Sequence, residues 1–218
     1  MSWDAYAIAW ASLHGGFDPR DATPLVRGWV RIAWRAGNLL ARLGLGPMAV
    51  TAAGLLLCLL VPVAALGGPA GLIGAGVLVA AAAFADSFDG AVAVVTGRAS
   101  RLGFVVDSVA DRLGEAAWLV AFWLAGAPAW LVVTAGGLSW LHEYARARAT
   151  AAGMSEIGVV TVGERPTRIA VSIPGLLFAG VAALILPLPV ATAAVAVWLT
   201  LQIIGLAQLS TAVRRALR

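Results

Sequence analysis

The chain has no lysine; all fifteen of its basic residues are arginine. Charge of either sign is scarce, at 12% of 218 residues, against a hydrophobic share of 61% and a mean hydropathy of +0.91. Soluble domains carry about 25% charged residues, so this composition excludes one and points to a single helical domain in a membrane. One cysteine, Cys58, rules out an intrachain disulfide; in its apolar run it reads as a small buried hydrophobe. No basic run precedes an apolar one at the start, where Asp4 and Asp18 flank a mildly apolar stretch, so no secretory signal is expected there. An isoelectric point near 10.5 and a net charge of +4 would suit a nucleic-acid binder. The placement of the arginines argues against that partner.

Six apolar segments reach or approach the ~20 residues that cross a hydrocarbon core of ~30 Å. They are 48–66, 70–94, 102–124, 129–147, 169–186 and 189–209. Gly67-Gly68-Pro69, Gly126-Ala127-Pro128 and Pro187-Leu188-Pro189 punctuate them as tight turns, and none of the three holds an arginine. Arginines collect instead before the first segment (Arg20, Arg27, Arg31, Arg35, Arg42), between the second and third (Arg98, Arg101), around the loop between the fourth and fifth (Arg146, Arg148, Arg165, Arg168) and after the sixth (Arg214, Arg215, Arg218). The positive-inside rule then puts both termini and both arginine-bearing loops in the cytoplasm. The reading is an all-α integral membrane protein. Residues 1–46 form a cytoplasmic N-terminal segment, 47–212 the six-helix domain, and 213–218 a basic cytoplasmic tail.

Residues 24–43 alternate Leu25, Trp29, Ile32, Leu39 and Leu43 with Arg27, Arg31, Arg35 and Arg42, the pattern of an amphipathic helix lying in the cytoplasmic interface. His14, upstream, reads as a solvated loop histidine. Several of the nine tryptophans, such as Trp29, Trp34, Trp123 and Trp130, fall near segment ends, as in interfacial belts. Pro62 and Pro174 are positions where helices can kink.

Against this greasy background stand Asp86, Asp89, Asp107 and Asp111. An ionised carboxylate at membrane depth costs roughly 2.5–3.5 kcal/mol, so four together need cations. Spacings of three and four bring each pair onto one helix face. Two such faces meeting make an all-oxygen site for hard divalent ions such as Mg²⁺.

The run Asp86-Ser-Phe-Asp89-Gly90-Ala-Val-Ala93, then residues 95–102, then Gly103, Asp107 and Asp111, resembles the signature of the CDP-alcohol phosphotransferases. That signature reads D-x-x-D-G-x-x-A-R, eight residues, G-x-x-x-D-x-x-x-D. One position departs from it, Val94, where the family has arginine. Pro47, Thr51 and Gly54 resemble the family's short P-x-x-x-T-x-x-G run. The resemblance implies displacement of CMP from a CDP-linked lipid, such as CDP-diacylglycerol, by the hydroxyl of a second alcohol. It implies Asp86, Asp89 and Asp107 as metal ligands, and Asp111 as both fourth ligand and general base. Two Mg²⁺ ions are expected, with Mn²⁺ as a substitute, and so is a homodimer in a bacterial plasma membrane. Gly90, Ala93 and Gly103, with Thr96, Gly97 and Arg98 at the turn, are the expected nucleotide contacts, since small side chains let a base and pyrophosphate come close. Arg98 and Arg101 are the cations nearest to the lost arginine in sequence.

Glu143-Tyr-Ala-Arg146-Ala-Arg148-Ala and Gly163-Glu164-Arg165-Pro166-Thr167-Arg168 resemble the phosphatidylinositol-phosphate synthase branch of that family, with Arg146 in place of lysine and Thr167 in place of glutamate. There the basic residues bind the phosphate of inositol phosphate. Arg101, Arg146, Arg148, Arg165 and Arg168 are accordingly expected to bind a phosphorylated polyol, inositol phosphate first and glycerol phosphate second. Guanidinium forks suit phosphate oxygens. Arg112 and Glu115 read as a structural charge pair, His142 as a satisfied helix histidine, and the first, fifth and sixth segments as scaffold. Two rival readings remain: a chain that binds nucleotide-lipid without turnover, motivated by Val94, and an ion transporter. The clustering of charge towards one side and the lack of an internal repeat speak against the transporter.

Overall fold

The computed structural model of the protein describes residues 1–13, 15–154, 160–186 and 188–218. His14 and Pro187, each part of an expectation above, lie outside the described residues. Among the described residues there are eight α-helices and no strand: α1 (Trp3–Leu13), α2 (Pro24–Arg42), α3 (Pro47–Ala65), α4 (Gly68–Thr96), α5 (Arg101–Leu124), α6 (Ala129–Ala151), α7 (Arg165–Ile185) and α8 (Val190–Ala216). Each expected apolar segment lies largely within one of α3 to α8. The helices run past the apolar stretches into charged residues, because backbone hydrogen bonding continues after hydropathy falls. α7 starts at Arg165 and α8 ends at Ala216. Both Pro62 and Pro174 lie inside continuous helices.

Four helices, α3, α4, α7 and α8, are long and apolar enough to cross a membrane. α5 and α6 are comparable in length, but α5 carries Asp107, Asp111, Arg112 and Glu115, and α6 carries His142, Glu143, Arg146 and Arg148. α2 matches its expected bounds to within one residue and begins with Pro24, whose missing N–H is no loss in a first turn. α1 was not expected. Its signal is the spacing of Trp3, Tyr6, Ala7 and Trp10, one apolar face on a short helix.

Contacts divide the chain into two compact units: residues 1–56 with 81–111, and 57–80 with 112–218. In the first, Tyr6 of α1, Val30 and Ala33 of α2, and Ala91 and Val94 of α4 form a buried cluster, flanked by Trp3, Trp10, Trp34 and Phe88. The chain start is fixed on α2 by two bonds: the Met1 ammonium donates to Asn38 Oδ1 (3.0 Å) and Trp34 Nε1 donates to the Met1 carbonyl (3.2 Å). Gly37 lets α2 approach α4 closely, since a Cβ there would lie 3.0 Å from Ala91. Between α1 and α2, Arg20 donates to Asp18 and holds its carboxyl below the usual range.

The second unit is built on small-residue contacts of the kind that let membrane helices approach. A Cβ on Gly71 would meet the Ala64 carbonyl of α3 at 2.1 Å, and one on Gly180 would meet the Pro69 carbonyl at 2.6 Å. Its α5–α6 turn uses Gly126 at φ +98°, a conformation open to glycine. Trp198 of α8 donates through Nε1 to Ser139 of α6 at 2.9 Å, and both are buried.

Candidate active site

α5 begins with a capped turn: Ser100 Oγ accepts from the Gly103 N–H at 3.0 Å, the bond an N-cap serine makes to the third helical residue. That start sets the phase of Asp107 and Asp111, one turn apart, along the helix. On α4, Asp86 joins them. Asp86, Asp107 and Asp111 each offer one carboxylate oxygen, all within 4.8 Å of one another, and all three are half-buried. Hard divalent cations take such an all-oxygen set, and three acids so close fit a metal of that kind.

Asp89 is placed differently. It is 7% exposed and accepts a hydrogen bond from Thr51 Oγ1 of α3 at 2.6 Å. Helical spacing puts Asp86 and Asp89 on one face, yet only Asp86 belongs to the three-acid group. A buried carboxylate needs a donor, and Thr51 supplies one. Sequence reasoning had flagged Thr51 only by its short motif, with no partner assigned.

The residues expected to meet a nucleotide lie in the same first unit. Gly90 is exposed, with open space where a Cβ would stand. Gly97 ends α4 with φ +65°, Thr96 Oγ1 donates back to the Val92 carbonyl, and Arg98 and Arg101 are exposed. Ala93 and Gly103 are half-buried. Val94 has a clear physical role. It is 8% exposed within the Tyr6–Val30–Ala33–Ala91 cluster, so at the position of the signature arginine this chain packs a β-branched side chain against α1 and α2.

In the second unit, acids meet arginines. Arg168 is 1% exposed; its Nη1 donates to both oxygens of Glu115 (2.9 and 2.9 Å) and its Nη2 to Glu143 (2.8 Å) and the Gly163 carbonyl (2.6 Å). Arg112 bonds Glu115 at 3.0 Å and lies 3.0 Å from Glu143. The Arg112–Glu115 pair was therefore legible in the sequence, whereas Glu143 and Arg168 as its other members were not. Arg146 pairs with Glu164, Arg165 lies over the Trp118 ring at 5.9 Å, and Arg148 is exposed. Arg168, expected among the acceptor's cations, is thus set against carboxylates. His142 is fully buried; its Nε2 shares a 2.9 Å hydrogen bond with Thr161 Oγ1, and its Nδ1 lies 3.6 Å from Glu143.

Three carboxylates gathered on two helices of an all-helical chain, four of whose described helices are long and apolar enough to cross a membrane, make a group that a divalent cation fits. The model of the CDP-alcohol phosphatidyltransferase family matches residues 45–210, and this chain belongs to that family. It is 38% identical over 135 residues to an archaetidylinositol phosphate synthase of Pyrococcus horikoshii, covering 60% of this chain and 70% of the relative. It is 37% identical over 99 residues to a phosphatidylinositol phosphate synthase of Mycolicibacterium smegmatis, covering 42% and 43%. A crystal structure of Mycobacterium tuberculosis phosphatidylinositol phosphate synthase in complex with manganese and citrate has a TM-score of 0.67 at 25% identity, over 84% of this chain and 88% of that one. The same enzyme with CDP-DAG bound gives 0.64 at 24% identity, over 84% and 92%. The chain is an integral membrane enzyme of phospholipid biosynthesis, a CDP-alcohol phosphatidyltransferase.

Proposed function

We propose that this enzyme moves a phosphatidyl group from CDP-diacylglycerol, or a similar CDP-lipid, to a hydroxyl of inositol phosphate. The acceptor oxygen attacks the lipid-side phosphorus, the new P–O ester forms, and the anhydride bond to CMP breaks with its electron pair leaving on CMP. Asp111 takes the hydroxyl proton as general base, a role worth 10²–10⁴-fold in rate. The gathering of Asp86, Asp107 and Asp111 within 4.8 Å is the observation that carries the reading. Magnesium, as two ions with manganese as a substitute, would be held by these three acids, with Asp89 beside them on α4. Bound there, a divalent cation neutralises charge building on the pyrophosphate and orients it. Gly90, Ala93 and Gly103 give the nucleotide room, and Thr96, Gly97 and Arg98 edge its phosphates.

Arg101, Arg146, Arg148 and Arg165 bind the acceptor's phosphate, while Arg168 braces α5, α6 and α7 through Glu115 and Glu143. The names of the two inositol phosphate synthases support this acceptor, with glycerol phosphate second. All six helices α3 to α8 span the bilayer, with both termini, the arginine-bearing loops and the active site cytoplasmic. α2 lies on that membrane surface, where its exposed Leu25, Ile32, Leu39 and Leu43 enter lipid. The enzyme works as a homodimer.

The test is CMP release by purified protein in detergent with CDP-diacylglycerol and Mg²⁺ across a panel of acceptors. Release is expected with inositol phosphate, abolished by chelation and reduced at least a hundredfold by Asp111→Asn. Chelator-resistant release, or release from every acceptor but inositol phosphate, would overturn the reading.

A further inference from the structure

Residues 161–164 lead into α7 without helix or strand, yet each is tied down. The Thr161 hydroxyl meets His142, and its N–H donates to Glu164 Oε1 at 2.9 Å. The Val162 N–H donates to Gln208 Oε1 at 2.9 Å. The Gly163 carbonyl takes two bonds, one from Arg168 and one from Gln202 Nε2 at 2.8 Å. Glu164, fixed by this turn, pairs with Arg146.

Two of these anchors come from α8, the helix that sequence reading treats as scaffold. Gln202, Gly205 and Gln208 recur every three residues, the spacing of neighbours on one helix face. Gln202 is 1% exposed in a helix long and apolar enough to span a membrane, where a buried amide is costly without a partner. Between the two glutamines, Gly205 meets Gly163 backbone to backbone. A Cβ there would fall 2.6 Å from both the Gly163 nitrogen and its Cα.

We infer that Gln202, Gly205 and Gln208 are positioning residues for the acceptor's phosphate. α8 fixes the turn, the turn fixes Glu164, and Glu164 holds the Arg146 guanidinium. This rests on the reading of Arg146 as a phosphate-binding cation. A long arginine side chain loses much rotamer freedom when it binds, and holding it beforehand reduces that loss. Loosening α8 from the turn therefore weakens acceptor binding selectively.

The experiment is steady-state CMP release by the full chain in detergent, with CDP-diacylglycerol and inositol phosphate varied in turn. Gly205→Ala and Gln202→Leu are expected to raise KM for inositol phosphate at least tenfold, with KM for CDP-diacylglycerol and kcat within about twofold. Gln208→Leu, at an exposed position that leaves the interior untouched, is expected to give the same split at about threefold and covers the case in which the other two fail to fold. Arg146→Gln serves as the reference and is expected to raise the same KM by at least as much. If Arg146→Gln raises it and none of the α8 variants does, the inference falls and the acceptor reading stands. If Arg146→Gln leaves it unchanged, the acceptor reading falls and takes the inference with it. Loss of kcat with both KM values unchanged would show a purely structural role and overturn the inference.

Discussion

The main charge clusters of the two units are built in opposite ways. In the first, Asp86, Asp107 and Asp111 are gathered on one another. In the second, Glu115, Glu143 and Glu164 are gathered on Arg112, Arg146 and Arg168. Like charges brought together raise the energy of the fold and persist where a ligand repays them at a binding site. Opposite charges brought together hold helices in register, at a desolvation cost that makes each member hard to remove. The acidic group thus has the makings of a cation site, and the mixed group ties together the helices of its own unit.

The sharpest way to break that contrast is to delete an acid from each. Glu115→Gln leaves the buried Arg168 and the half-buried Arg112 with one carboxylate fewer and is expected to destabilise by about 3–5 kcal/mol, read as the unfolding midpoint in detergent. Asp86→Asn, measured with chelator present, is expected to leave that midpoint unchanged or raise it. An equal loss from both would erase the distinction. Next in size is Val94→Arg. A guanidinium at 94 enters the Tyr6–Val30–Ala33 cluster, so restoring the family's residue should cost about 3 kcal/mol and reduce activity. Val94→Ile should be tolerated, and a gain in turnover on introducing arginine would refute the packing role. The smallest effect is expected at Thr51→Val, which strips Asp89 of its donor. A hydrogen bond to a charged group is worth about 1.5–3 kcal/mol, and loss of that order should appear as lower stability and as weaker activity.

Much of this was legible in the residues. Hydropathy placed α3 to α8, and helical spacing placed Asp107 beside Asp111. The spacing of Asp86 and Asp89 gave their shared helix and face but not the partner that each would find. A shared face is a property of one helix, whereas Asp89's partner, Thr51, comes from another, 38 residues away in sequence. Arg168 could not be told from its neighbours Arg146 and Arg165 because an arginine is buried or free according to which acids face it, and Glu115 lies 53 residues upstream. α1 escaped notice because an 11-residue helix carries too few turns for its apolar face to stand out. Gln202 and Gln208 were invisible for a related reason: the backbone groups they hold belong to a turn that no periodicity marks.

The most direct test of the acidic group as a metal site is Mn²⁺ binding to the purified protein, followed by electron paramagnetic resonance. Saturable binding is predicted, weakened at least tenfold by Asp107→Asn and unchanged by Arg146→Gln. Equal binding by the unaltered protein and Asp107→Asn would contradict the account.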